Sequence, residues 1–250
     1  MKWLLVLGLL LRLEFPDEAD NTFFSQSAID RGVDTVIPED FNNEAWLGVD
    51  LARFGEDNSE VYINRGGRCR RLATWTKATS IESATRIHNL AIEHGATQVR
   101  IDAAGLGGPI VDQVVALADD KYIIISMLGS AASPDNTRWM NARAHNYDTL
   151  REGMLDGKID IDPDDKQLLD EMLMIQYRFS QKGAIQIESK DDMRSRGVKS
   201  PDSLDALVYA AANLDHIVNA PYAQHSPGDR IAYDTNLIDS RDPFLSAWQW

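Results

Sequence analysis

From residue 45 onward, apolar and polar positions fall into short blocks that each carry one period. "WLGVD" (46–50) and "SEVYINR" (59–65) read as strands, and Gly66-Gly67 between the second and "RCRRLATWT" (68–76) predicts a hairpin turn. The period then changes. Apolar residues at 81, 84, 87, 90 and 91, with Gly95 behind them, predict a helix over 80–95, opened by Ser80 with Glu82 and Ser83 in its first turn. "TQVRIDAAG" (97–105) is a fourth strand running into glycines, "GPIVDQVVALA" a second helix and "YIIISM" (122–127) a fifth strand.

Three strands joined by hairpins, then helix, strand, helix, strand, predict an α/β fold. Its mixed sheet combines a three-strand antiparallel meander with parallel strands and is flanked by helices. Further on, the pattern predicts a helical stretch over 138–156, a short "KIDID" strand, a helix from 164, a hairpin around Lys182-Gly183 and a last helix from 202. Residues 45–218 form the expected domain. Residues 1–44 read as a partly apolar lead-in or linker, and 219–250 as a loose polar tail. The opening "MKWLLVLGLLLRL" is shorter than a membrane span and lacks a small-x-small cleavage site, so neither a signal peptide nor a membrane association is expected.

The 250 residues carry a formal net charge of -14, which argues against indiscriminate binding to phosphate backbones. Local basic patches remain as candidates: Arg68, Arg70 and Arg71 in "RGGRCRR", and Lys190, Arg194, Arg196 and Lys199 in "KDDMRSRGVK". A single cysteine excludes an internal disulfide and a cysteine-rich zinc site, and the five histidines show no ligand spacing. "DAAGLGGP" lies between strand and helix but is not Gly-x-Gly-x-x-Gly.

The acids are the candidate chemistry. Asp50 and Asp102 end strands just before small residues, and Asp202 and Asp205 share one face at the start of the last helix. Each has a bland explanation as a strand-end or capping residue. Together on these elements they form an oxygen-only donor set suited to Mg²⁺ or Mn²⁺, and two such ions serve phosphodiester cleavage.

"AWLGVDLARFGEDNS", "QVRIDAAGLGGPIVDQV" and above all "IQIESKDDMRSRGVKSPDSLDALVYAA" resemble the nuclease domain of tailed-bacteriophage terminase large subunits. "RLEFPDEADNTFFSQSAIDRG" is similar to that family's link between ATPase and nuclease domains, and the resemblance runs over residues 14–217. It implies an RNase H-like fold and a two-metal-ion endonuclease that cuts double-stranded phage DNA during genome packaging in the host cytoplasm. It also implies portal protein and small terminase subunit as partners. The family's acids match Asp50, Asp102 and Asp202 or Asp205, and both of the last pair are kept because related Holliday-junction resolvases use both. Asp57 matches a position expected to support the metal ligands. No Gly-x-x-x-x-Gly-Lys-Ser/Thr loop occurs, so a free-standing nuclease part is expected, with the ATPase absent or acting in trans. The alternatives are a non-catalytic packaging-assembly module or remnant, and a resolvase or RNase H-type nuclease.

Overall fold

The computed structural model of the protein describes residues 21–52, 58–102, 107–212 and 224–225. The chain enters through α1 (Gln26–Asp34), capped by Ser25, whose side chain accepts from the Ala28 amide. Phe23, Phe24, Ala28 and Ile29 are buried, so this part of the expected lead-in is packed into the body of the protein. The meander follows as β1 (Ala45–Asp50), β2 (Ser59–Arg65) and β3 (Arg68–Trp75). Its second turn uses Gly66 and Gly67 at positive φ, as an Asn-Gly or Gly-Gly hairpin requires. In α2 (Ser80–Glu93) the cap is Thr79 rather than Ser80. Only Thr79 stands three residues before Glu82, the spacing a reciprocal capping box needs. β4 (Gln98–Asp102), α3 (Gly107–Ala118) and β5 (Ile123–Met127) complete the expected order.

The second half departs further. α4 (Ala142–Leu155) starts later than residue 138 because Asn141 caps it, accepting from the Ala144 amide. "KIDID" forms no strand. Asp160 touches β3 as an isolated bridge to Arg68, and Pro163 then removes a donor and restricts the residue before it, so pairing stops. α5 (Lys166–Met174) is capped by Asp165, and β6 (Tyr177–Phe179) pairs with β7 (Ile185–Ile187) in the expected hairpin. α6 (Lys190–Ser195) folds in the basic stretch where no element is predicted, through a capping box between Ser189 and Asp192. α7 (Asp202–Ala211) follows, and β8 (Gln224–His225), within the stretch read as tail, pairs with β5.

The sheet order is β3-β2-β1-β4-β5-β8, with β1, β4 and β5 mutually parallel where they pair. One face carries Leu47, Val49, Val61, Val99 and Ile101 against α2 and α3. By alternation, Trp46, Gly48 and Asp50 turn to the other face, which α7 covers. α7 is buried from end to end. It lies directly on the backbone of β1: a Cβ at Gly48 would stand 2.1 Å from the Ala206 carbonyl oxygen and 2.3 Å from the Ala210 nitrogen.

Both ends of α7 are held as well. Arg100, fully buried beside Gly48 in the parallel register, donates to the carbonyls of Tyr209, Ala210 and Ala212 and lies over the Trp46 ring at 4.2 Å. A cation at a helix C-terminus meets both the orphan carbonyls and the negative end of the dipole. At the other end Pro201 offers no side-chain cap, and Glu171 from α5 accepts the Leu204 amide at 2.8 Å. The Leu204 amide is thus held from α5 and not by the helix's own acids.

Candidate active site

β1 and β4 run parallel with Val49 opposite Ile101, so Asp50 and Asp102 follow at the same end of neighbouring strands. α7, clamped across that end, brings its first turn over them. The carboxylates meet on one cation. Lys190 Nζ, from the first position of α6, lies 3.2 Å from Asp50 Oδ2, 3.2 Å from Asp205 Oδ2 and 3.6 Å from Asp202 Oδ1. Asp202 also accepts from the Asn58 amide at 3.3 Å. Asp205 Oδ1 is taken by Arg143 at 2.9 Å and by the Tyr147 hydroxyl at 2.7 Å. Asp50 Oδ1 is buried with no hydrogen-bond partner.

The charges act unequally on this group. Burial pushes the Asp50 carboxyl well above its ordinary value; Lys190 opposes this, while Asp205, Asp102 and Asp202 add to it. Asp205 goes the other way. Burial alone would raise it, but Arg143, Lys190 and the Tyr147 hydrogen bond hold it below the ordinary carboxylate. Burial alone would lower Lys190, yet the charges of Asp50, Asp205 and Asp202 outweigh it and raise it above the ordinary lysine value. Behind them Glu171 is pushed up to about 8, first by burial and then by Asp202 and Asp205. A buried carboxyl with a raised pKa and an orphaned oxygen is what a site short of positive charge produces.

Oxygen donors alone fit a hard divalent cation, and the orphaned Asp50 oxygen fits one as well. Among the described residues no three acidic, His or Cys side chains already stand as a metal-holding group. They are gathered on the Lys190 ammonium instead, at distances longer than the ~2.0–2.6 Å of Mg²⁺ or Ca²⁺ bonds. A metal ion there requires Lys190 to leave and the carboxylates to close in. A cavity of about 510 Å³ gives access, with Asp102, Asp202, Lys190, Arg143, Arg194 and Tyr209 in its walls.

The two basic patches end up in different places. Arg194 reaches this cavity and pairs with Asp191 at 2.9 Å; Arg196 pairs with Glu188, and Lys199 is exposed. In the other patch Arg68 stands opposite Arg65, which itself faces Ala45, so it lies at the far end of the strands from Asp50. Arg70 pairs with Asp160 at 2.8 Å and Arg71 with Asp165 at 2.6 Å. These bonds tie β3 to the chain after α4, and Arg68 and Arg70 are not brought to the carboxylates. Asp57 lies outside the described residues. Sequence reasoning missed Arg143, Tyr147 and Glu171. The signal for the first two was a polar pair four residues apart on a helix that is otherwise largely buried.

No family model matches the chain, and no curated protein matches it. Solved structures do. The nuclease domain of the large terminase subunit gp2 of bacterial virus Sf6 superposes with a TM-score of 0.67 at 20% identity, over 76% of this chain and 98% of that one. A lysine-to-alanine mutant of the same domain, with manganese, gives 0.66 at 19%, over 76% and 98%. The large terminase nuclease of thermophilic phage G20c, with bound magnesium, gives 0.57 at 18%, over 77% and 97%. The fold is that of a large terminase nuclease domain. Its mixed sheet flanked by helices is the one the order of elements predicts. No helix among the described residues is long and apolar enough to cross a membrane.

Proposed function

We propose that the protein is a metal-dependent DNA endonuclease, the cutting part of a phage genome-packaging terminase. The observation that carries this reading is the meeting of Asp50, Asp202 and Asp205 on a single half-buried cation, with Asp102 beside them at the end of the next strand. The terminase nuclease fold and the manganese and magnesium held by the similar domains support it. Asp50, Asp102, Asp202 and Asp205 are the residues that would hold the metal. Two such ions, when bound, supply Lewis acidity and a more acidic water for phosphodiester hydrolysis.

The chain's own residues prepare that chemistry. Asp205 is fixed as an anion by Arg143 and Tyr147, and Asp50 keeps one buried oxygen without a hydrogen-bond partner. Lys190 neutralises the carboxylates in the resting protein and, once displaced, stands with Arg194 in the cavity wall where a DNA phosphate would arrive. Arg196 and Lys199, just beyond α6, extend that basic edge outward. Double-stranded DNA is the proposed substrate, portal protein and small terminase subunit the proposed partners, and the host cytoplasm the proposed setting.

The test is nicking of supercoiled plasmid by the purified chain with Mn²⁺ or Mg²⁺. We expect activity with either ion, stronger with Mn²⁺ because it is bound more tightly. Asp50→Asn, nearly isosteric, should abolish it. Activity surviving Asp50→Asn, or none from the wild type under any divalent ion, would refute the reading.

A further inference from the structure

Asp205 has one oxygen fully used inside the protein. Its Oδ1 accepts from Arg143 at 2.9 Å and from the Tyr147 hydroxyl at 2.7 Å, and Arg143 also donates to the Tyr147 oxygen at 2.9 Å. The three groups close a triangle. Arg143 and Tyr147 are four residues apart on α4, so they present to the same side of that helix. Tyr147 is 1% exposed and packs among Phe23, Phe24 and Leu150, which holds its ring in place. Asp205 is equally buried and has no room to trade one oxygen for the other without breaking two hydrogen bonds. Its Oδ2 is the oxygen left facing Lys190 Nζ, the position of the cation.

We propose that Tyr147 and Arg143 are positioning residues: they lock Asp205 so that Oδ2 alone faces the cation position, making it a one-oxygen ligand whose direction is set before any metal arrives. This rests on the nuclease reading above. It gives the two helix carboxylates different parts. Asp205 is the pre-set ligand. Asp202 is held differently, its Oδ2 accepting from the backbone amide of Asn58 at 3.3 Å. It also explains why a guanidinium, which opposes a metal ion electrostatically, is built against a metal-binding carboxylate. Arg143 spends its charge on the oxygen that the metal does not use, and its fork fits the carboxylate and the hydroxyl together.

The experiment is Mn²⁺ titration of the full chain by calorimetry, alongside thermal unfolding, for wild type, Tyr147→Phe, Arg143→Lys, Arg143→Met and Met154→Ala. Partners that orient metal ligands typically contribute ~10–100-fold in affinity. Tyr147→Phe keeps the ring and its packing, so Mn²⁺ binding should weaken about 10-fold with little change in unfolding temperature. Arg143→Met should weaken it as much or more, and Arg143→Lys should restore part of the loss. Met154→Ala, buried on the same helix two turns beyond Tyr147 and beside Gly32, should lower the unfolding temperature and leave Mn²⁺ affinity alone. Unchanged or tighter Mn²⁺ binding by Tyr147→Phe would overturn the proposal, the tighter case meaning that a freed Oδ1 makes a better ligand. If that happens while wild type binds Mn²⁺ and Asp50→Asn does not, the nuclease reading stands and the positioning role falls. If wild type binds no Mn²⁺, both fall.

Discussion

Gly48→Ala should damage both stability and the site, because the whole arrangement depends on how closely α7 lies on β1. An added Cβ would stand 2.1 Å from the Ala206 oxygen, against 3.4 Å for an ordinary contact, so helix and strand must separate by about 1.3 Å. Both opposing atoms are backbone, and no side chain can swing aside to absorb the clash. Overpacking of this kind typically costs ~1–3 kcal/mol, and a backbone clash belongs at or above the top of that range. For a domain of this size, ~3 kcal/mol lowers the unfolding temperature by roughly 6–12 °C. The displacement also carries Asp202 and Asp205 away from Asp50 and Asp102, and a misplacement of ~1 Å can cost ~100-fold in rate. Thermal unfolding by circular dichroism and plasmid nicking with Mn²⁺ read the two effects. A Gly48→Ala protein that unfolds within a degree or two of wild type and nicks at the same rate would refute the reasoning, since the helix would then not need this approach.

Lys190→Ala should tighten Mn²⁺ binding to the metal-free protein several-fold, because the ammonium competes for the same three carboxylates; weaker binding in calorimetry would show that Lys190 supports the metal instead. Asp148→Asn tests the scaffold rather than the site. Asp148 is buried and accepts from Arg138, Trp139 and Arg151; both guanidinium groups are partly exposed and Arg138 keeps Glu152, so losing the charge should cost ~1–3 kcal/mol in denaturant unfolding with nicking retained by the folded fraction. Burial pushes the Asp148 carboxyl up, but the Trp139 and Arg151 hydrogen bonds and the two arginine charges outweigh it and hold it below the ordinary value. A depressed carboxyl contributes stability above its unfolded pKa of ~3.9 that is lost as pH falls through the folded value. Melting curves between pH 5 and pH 2 should therefore fall more steeply for wild type than for Asp148→Asn.

The sheet and most of its helices were legible because they are carried by local periods: the meander, both crossover helices and the β6–β7 hairpin follow from apolar spacing and glycine turns. What failed were features decided by single side chains or by distant partners. Thr79 outcompetes Ser80 through Glu82, and α6 rests on Ser189 and Asp192, a box that hides inside a charged stretch. "KIDID" has the composition of a strand but meets only the end of β3. The packing of Phe23 and Phe24 could not be read locally, since their neighbours Tyr147 and Tyr177 lie more than a hundred residues away. In the site, Asp50, Asp202 and Asp205 were visible as acids at element ends. Lys190 was legible as a cation but not as the group they converge on, because that contact spans 140 positions to Asp50. Arg70 and Arg71 were legible as part of a basic patch but not for what they pair with in the fold. Their ion pairs to Asp160 and Asp165 come from a later part of the chain that no local pattern connects to them.

The most direct test of the central claim is a crystal of the protein grown with Mn²⁺ and measured for anomalous scattering. The account expects a manganese peak bonded to Asp50 and to at least two of Asp102, Asp202 and Asp205, at the ~2.0–2.6 Å of oxygen–metal bonds, with the Lys190 ammonium moved out of the group. Manganese absent from this group at saturating concentration, or Asp50 and Asp102 carboxylates more than about 8 Å apart so that no single ion can touch both, would contradict it.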